Sequence, residues 1–466
     1  MLHRVVREHL ATFLEEARAN SAHGYGLPGF VEREFREYLG CGVLARGFAR
    51  VRCVSCGDEH LVGFSCKRRG VCPSCTSRRA VDAAAHLVDA VLPSVPMRQW
   101  VLSFPIKVRW VLARRPALVG RVLAVFLRAL STWQRRRGRI LGVEGTTGTV
   151  TFVQRFGSAL QLNIHFHAVV PDGVFVPGDD GAVSFARLPA PTDEDVVLLL
   201  HRTATRVLRL LKGELGDEEP DVDALAELCA SSMTSRAKSG GQDATPKRLT
   251  AFLEGFSLHA GVHLHANDRR GLEQLCRYGA RGAIALSRLS ELDDGRYAYR
   301  MKRPLPDGRT HLVLDGVGLL RKLVRCTAAL ASAQSARPSA AAPLIPPPRF
   351  HLLRFHGVFA PNAKQRSRVV PKPPPQAEAA ATTTAKADRL RVRPTTSPYR
   401  LDWAAALKRV FGIDVLRCAR CGGRLVILAF IERRSAVRAI LDHLGLPSVP
   451  LPLGKARGPP QVAWDF

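Results

Sequence analysis

The chain has 466 residues, with 69 Lys or Arg against 40 Asp or Glu, a formal net charge of +29. Its 46% apolar content can bury a sizeable core, which excludes global disorder, and no uncharged apolar run reaches the ~18 residues that a membrane span needs. A surplus of that size calls for a polyanionic partner: nucleic acid leads, because counterion release supplies sequence-independent affinity for phosphates. The N-terminus, Met1-Leu-His-Arg-Val-Val-Arg-Glu8, lacks the apolar stretch of a secretory signal. A cytoplasmic chain without disulfides is therefore expected.

In chain order, apolar residues at helical spacing (Val5, Val6, Leu10, Phe13, then Phe30, Val31, Phe35, Leu39) predict a helical start, packed beside a module in which five of the eleven cysteines fall within residues 53 to 75. A second helical region runs from Val81 to Leu141 and carries the basic run Arg135 to Arg139, a candidate phosphate grip or a solvated helix end. From Gly148 the period changes to two: Thr149 to Phe156 and Leu160 to Val170, separated by Gly157-Ser158, predict a β-hairpin. Further on come a helix over Val196 to Leu211, an acidic stretch over 213–227, a strand over Phe256 to Ala266 and a helix over Arg269 to Arg281. A hairpin of Tyr297–Lys302 with His311–Leu314 around Pro306-Asp307-Gly308 follows. The expected division is 1–97 (helical and cysteine module), 98–330 (mixed α+β), 331–370 (basic linker with interleaved aromatics), 371–400 (Pro/Ala/Thr-rich linker) and 401–466 (small terminal domain).

Four constellations can carry chemistry. Cys53-Val-Ser-Cys56 and Cys72-Pro-Ser-Cys75 have the doubled spacing of one four-thiolate Zn²⁺ site, closed and therefore structural, with Cys66 either substituting for one ligand or spare. Cys418-Ala-Arg-Cys421 is half of such a site with no second pair nearby, so it reads equally as a tight turn. On the strand Gln161-Leu-Asn-Ile-His-Phe-His167, alternation puts Leu160, Leu162, Ile164 and Phe166 on one face and Gln161, Asn163, His165 and His167 on the other, where two imidazoles can share a metal. His259, on a strand with the same alternation, is preferred as third ligand to Gln154, which a two-residue turn would set opposite Gln161. Tyr278 lies at the margin of a helix capped by Asn267-Asp268, between Arg277 and Arg281, cations that favour phenol ionisation. The alternative is an amphipathic tyrosine at the core edge.

Several words of the sequence together resemble the transposases of the insertion sequence ninety-one family, members of the HUH (His-hydrophobe-His) class of single-strand DNA endonucleases. They are Phe64-Ser-Cys-Lys-Arg-Arg-Gly-Val-Cys-Pro-Ser-Cys75, Ser103-Phe-Pro105, Phe152 to His167, Leu272-Glu-Gln-Leu-Cys-Arg-Tyr278, Asp307-Gly-Arg-Thr-His311 and Phe355-His-Gly-Val-Phe-Ala-Pro-Asn-Ala-Lys364. The resemblance implies an α+β protein: an N-terminal zinc-binding module, an HUH endonuclease domain with a central antiparallel sheet flanked by helices, and a small C-terminal domain. It further implies a divalent metal, Mg²⁺ or Mn²⁺, on His165 and His167, and Tyr278 as the nucleophile of a 5′-phosphotyrosine intermediate at single-stranded element ends. Two-tyrosine members place the pair four residues apart, whereas Gln274 and Gly282 stand at those positions here, so a single-tyrosine cycle is implied. Lys67, Arg68, Arg69, Arg277, Arg281 and Lys364 are the candidate DNA contacts. A rolling-circle replication initiator or relaxase, and a zinc-folded DNA-binding protein without catalysis, are the alternatives.

Overall fold

The computed structural model describes residues 1–21, 24–215, 248–305, 307–324, 345–372, 403–412 and 414–457. Most of the acidic stretch 213–227, most of the Pro/Ala/Thr-rich stretch and Pro306 lie outside these residues. In chain order the elements are α1 (Leu2–Ala19), α2 (Gly29–Leu39), β1 (Phe48–Cys53), β2 (Glu59–Gly63), α3 (Pro73–Ala90), β3 (Met97–Ser103), α4 (Ile106–Arg114), α5 (Pro116–Ile140), β4 (Gly148–Phe156) and β5 (Leu162–Pro171). Then come β6 (Gly173–Pro177), β7 (Val183–Arg187), α6 (Asp193–Leu215), β8 (Thr250–Leu253), β9 (Phe256–Leu264), α7 (Arg269–Ala280), β10 (Leu289–Glu291), β11 (Tyr297–Arg300), β12 (His311–Leu314) and α8 (Gly316–Val324). The described chain closes with β13 (Leu353–Gly357), α9 (Arg366–Val369), α10 (Trp403–Phe411), β14 (Leu425–Ile431) and α11 (Arg434–His443).

The centre is a six-stranded antiparallel sheet in the order β13-β4-β5-β3-β9-β8. Alternation along its strands creates two apolar faces, and helices cover both. Trp100, Leu102, Ile164, Phe166, Leu258 and Ala260 meet the buried stripes of α4, α5 and α6 on one side. By length and composition alone α5 could cross a membrane, but Val119, Val122, Leu123, Phe126 and Leu130 are buried in this layer. On the other side Val150, Phe152 and Val169 meet Leu87 and Val88 of α3 and Leu272 and Cys276 of α7. A third core joins α1, α2 and α8 to the small sheet β10-β11-β12 and to Val71, Cys72 and Cys75.

The position of α7 is set at both ends. The Asp268 carboxylate accepts from the Gly271 amide at 2.8 Å, capping the first turn. Arg269 donates to the carbonyls of Leu92 (2.8 Å) and Pro93 (3.1 Å), just past α3. At the C-terminal end a Cβ on Gly279 would stand 2.6 Å from the Phe152 ring, so only glycine lets the helix approach β4 this closely.

Two segments fall elsewhere than the expected division. The stretch 331–370 is not only linker: β13 pairs with β4 (Leu353 with Phe152, Phe355 with Val150), and Phe350, Val358 and Phe359 are buried. The aromatics interleaved with its basic residues are core anchors, which a basic composition conceals. Nor does 401–466 stand apart, since β14 pairs with β1 to make the sheet β14-β1-β2. Arg409 of α10 bonds Asp89 of α3 (3.0 Å) and Glu273 of α7 (2.9 Å).

Candidate functional site

His165 and His167 project from β5 toward α7, on the sheet face opposite Ile164 and Phe166, as alternation requires. Their rings lie 4.8 Å apart, and the His167 ring lies 5.9 Å from that of Tyr278. Nδ1 of His165 bonds the Asn163 carbonyl at 2.7 Å; as a donor there, it leaves the Nε2 lone pair for a metal. Neither ring nitrogen of His167, though buried, has a hydrogen-bond partner among the described residues. Burial holds the His165 imidazolium down to about 4 and that of His167 well below its ordinary value. Two neutral, buried imidazoles with nitrogen lone pairs to satisfy are chemically suited to hold a metal.

Tyr278 is 40% exposed, so substrate can reach it. Burial of its inner face pushes the phenol up, but a 3.0 Å hydrogen bond from Lys302 and the charges of Arg281, Lys302 and Arg288 outweigh that and hold it below its ordinary value. Arg281 and Lys302 also lie 4.5 and 4.3 Å from the ring centroid. By contrast, Tyr38, Tyr297 and Tyr299 are buried in the core beneath α1 and α2. The sequence reading missed Lys302 and Arg288, because the small sheet β10-β11-β12 brings them to the tyrosine from beyond α7.

The preferred third ligand is not where the sequence suggested. His259 pairs with Val101, and Val101 pairs with His167, so the central strand β3 separates His259 from the pair. Among the described residues, only two cysteine quartets bring three or more metal-ligating atoms within 4.8 Å of one another. Gln154, set aside on the sequence, instead pairs directly with His165. The loop after β4 is longer than two residues, and the Gly157 amide bonds the Gln161 carbonyl across it. Buried Gln154 donates to the carbonyls of Tyr278 (2.9 Å) and Gly279 (3.0 Å), which satisfies two terminal acceptors of α7 and fixes the tyrosine over the histidines.

The four cysteines expected to share one zinc are divided between two quartets. Cys72 and Cys75 gather with Cys41 and Cys66, and Cys53 and Cys56 gather with Cys418 and Cys421. The β1–β2 hairpin carries the first knuckle away from the second, so sequence spacing misassigned the partners. In the first quartet Sγ separations are 3.8 Å (Cys41–Cys75), 3.6 Å (Cys66–Cys75) and 3.6 Å (Cys41–Cys72). Thiolates about 2.3 Å from a central zinc lie about 3.8 Å apart, so the clusters fit structural Zn²⁺.

The candidate DNA contacts separate into two kinds. Lys67 and Lys364 are exposed. Arg277 is half-buried on α7, and Arg281 stacks between Tyr278 and Phe156. Arg68 pairs with Glu37 at 3.2 Å, and Arg69 donates to the carbonyls of Phe350 (2.7 Å) and Pro347, so these two contribute to holding the protein together. In the run 135–139, Arg137 pairs with Asp195 at 2.5 Å and lies over Trp133.

A family model described as a transposase zinc-binding domain, of the insertion sequence ninety-one type, matches residues 5–104, and one described as a putative transposase matches residues 148–327. No curated protein and no solved structure matches the chain. The second match covers the histidine strand and the tyrosine helix, and its class is that of a transposase, a DNA-processing enzyme that would bind DNA. Taken together, the two matches support an insertion sequence ninety-one-like transposase family, with a zinc-binding domain at residues 5–104.

Proposed function

We propose that this transposase nicks and rejoins single-stranded DNA at the ends of its element, in the cytoplasm, through a covalent 5′-phosphotyrosine on Tyr278. The reading rests on one observation above all: a cation-flanked, accessible phenol stands within 5.9 Å, ring to ring, of a buried histidine whose nitrogens have no hydrogen-bond partner among the described residues. Mg²⁺ or Mn²⁺ held by His165 and His167, with Gln154 in place of His259 as third ligand, would supply Lewis-acid polarisation of the scissile phosphate.

The chain's own groups account for the rest. Lys302, Arg281 and Arg288 favour loss of the Tyr278 proton, and the Oη–P bond forms as the P–O3′ bond breaks. The departing 3′ oxygen takes up a proton to become a free hydroxyl. One phosphodiester replaces another, so the bond is conserved for rejoining. Gln154 holds the carbonyl end of α7, which keeps the phenol in place. With no second tyrosine on α7, the same residue would serve each strand in turn.

The test uses the full chain with Mg²⁺ or Mn²⁺ and single-stranded oligonucleotides tiled across the DNA that flanks its coding sequence. A covalent adduct should form, map to Tyr278 by mass spectrometry and disappear in Tyr278→Phe while DNA binding persists. No adduct anywhere in the tiled set, or an adduct on Tyr297 or Tyr299, refutes the assignment.

A further inference from the structure

Cys53-Val-Ser-Cys56-Gly57 and Cys418-Ala-Arg-Cys421-Gly422 fold as near copies. The Gly57 amide bonds the Cys53 carbonyl at 3.0 Å, and the Gly422 amide bonds the Cys418 carbonyl at 2.9 Å. Both glycines are left-handed, with φ of 74° and 73°. The Cys53 amide bonds the Asp58 carbonyl at 2.8 Å, and the Cys418 amide bonds the Gly423 carbonyl at 2.7 Å. These two turns face each other: the Val54 amide reaches the Arg424 carbonyl at 3.0 Å, and a Cβ on Gly423 would stand 3.0 Å from the Cys53 Sγ.

The sulfurs converge between them. Cys53 and Cys421 are 3.5 Å apart and Cys56 and Cys418 3.7 Å apart, near the ~3.8 Å edge of a tetrahedron around zinc and far beyond the ~2.05 Å of a disulfide. A 3.4 Å contact from the Gly423 amide to the Cys421 Sγ is the kind that supports a thiolate. The apolar residues that bind this arm to the N-terminal module form two small clusters: Ala49, Val51 and Leu425 with Phe64 against them, and Phe48, Val437 and Leu441 with the partly buried Leu44, Ala45, Leu61, Ile431 and Ile440 against them. Ile427 and Phe430 on β14 remain exposed. So small a core does not by itself order a two-part sheet.

We propose that Cys53, Cys56, Cys418 and Cys421 form a second four-thiolate zinc site, a clasp that holds the C-terminal arm, β14 and α11, on the β1–β2 hairpin. Zinc binding displaces four thiol protons and involves no oxidant. Because half of the ligands lie far outside residues 5–104, the clasp is separate from the zinc site wholly contained there. It also stands independently of the tyrosine chemistry.

Native mass spectrometry of the full wild-type chain should show two zinc ions, and Cys418→Ser/Cys421→Ser should show one. In that variant, hydrogen exchange should rise over Leu425–Ile431 and Arg434–His443 while Met97–Ser103 and Leu162–Pro171 stay protected. Should the double variant be insoluble, Cys421→His retains a zinc-ligating group and should keep both ions. Alkylation of the wild-type chain gives a readout without substitution: Cys418 and Cys421 should resist iodoacetamide until a chelator removes one zinc equivalent, and then react together with Cys53 and Cys56. A wild-type count of one zinc or none, two ions in the double variant, or free alkylation of Cys418 and Cys421 in the zinc-loaded chain each overturns the clasp.

Discussion

Lys302 donates a 3.0 Å hydrogen bond to the phenol oxygen of Tyr278 and places its ammonium 4.3 Å from the ring centroid. It follows β11, in a sheet that contributes nothing to His165 and His167, and so delivers a charge to the phenol from a separate part of the fold. Removing it leaves burial less opposed, and the phenol rises. Lys302→Met should slow adduct formation about tenfold to a hundredfold, the equivalent of one charge-assisted hydrogen bond. The pH–rate profile should move to higher pH, and Lys302→Arg should restore part of the rate. An unmoved profile in Lys302→Met would separate Lys302 from the chemistry.

The Gly279 contact makes a mechanical prediction. Gly279→Ala puts a methyl against the buried Phe152 ring, so either α7 or the ring must give way. Overpacking of this kind costs about 1 to 3 kcal/mol. Urea unfolding should show that loss, and adduct formation should fall further than stability does, since the shifted helix end carries Tyr278. Wild-type stability in Gly279→Ala would mean that the approach of α7 to β4 is looser than the geometry indicates.

The buried histidines make the metal-free protein sensitive to acid. Above an ordinary imidazole value near 6.5 both folded and unfolded chains are neutral at these positions, and stability is full. As pH falls toward the folded value of about 4 for His165, the unfolded chain takes up protons that the folded chain refuses. Stability should then drop by about 1.4 kcal/mol per pH unit for each buried histidine. His165→Gln/His167→Gln should flatten this slope between pH 6.5 and 5 in thermal melts with EDTA, while DNA binding is retained and cleavage is lost.

The basic side chains should divide by role in a salt titration. Lys364 is exposed, and its replacement by Ala should lower the log-log salt slope of single-strand binding by about one unit. Arg69, bonded to the Phe350 and Pro347 carbonyls, should behave otherwise: Arg69→Ala should lower the melting temperature and leave the slope nearly unchanged. Equal slope changes in both variants would show that Arg69 reaches phosphate after all.

Period and spacing carried much of this protein. The switch to period two at Gly148 marked β4 and β5, and it put His165 and His167 on one face and Ile164 and Phe166 on the other. The Asn267-Asp268 cap marked the start of α7. Both are local properties: alternation and helical repeat follow from backbone geometry, and a cap is a contact across three residues. Which elements become neighbours is not local. Spacing grouped Cys53 and Cys56 with Cys72 and Cys75, yet strand pairing of β1 with β14 gave the first pair partners more than three hundred residues away. A five-residue loop in place of a two-residue turn set Gln154 opposite His165, and β3 came between the pair and His259. Lys302 reached Tyr278 only through the packing of a separate sheet. The sequence by itself determined the period, the caps, the charge and the presence of thiol and imidazole pairs, because each is written within a few residues. Only the tertiary structure decided which thiols share a centre and which cation faces the phenol, because those contacts depend on sheet order and on where each apolar face finds cover.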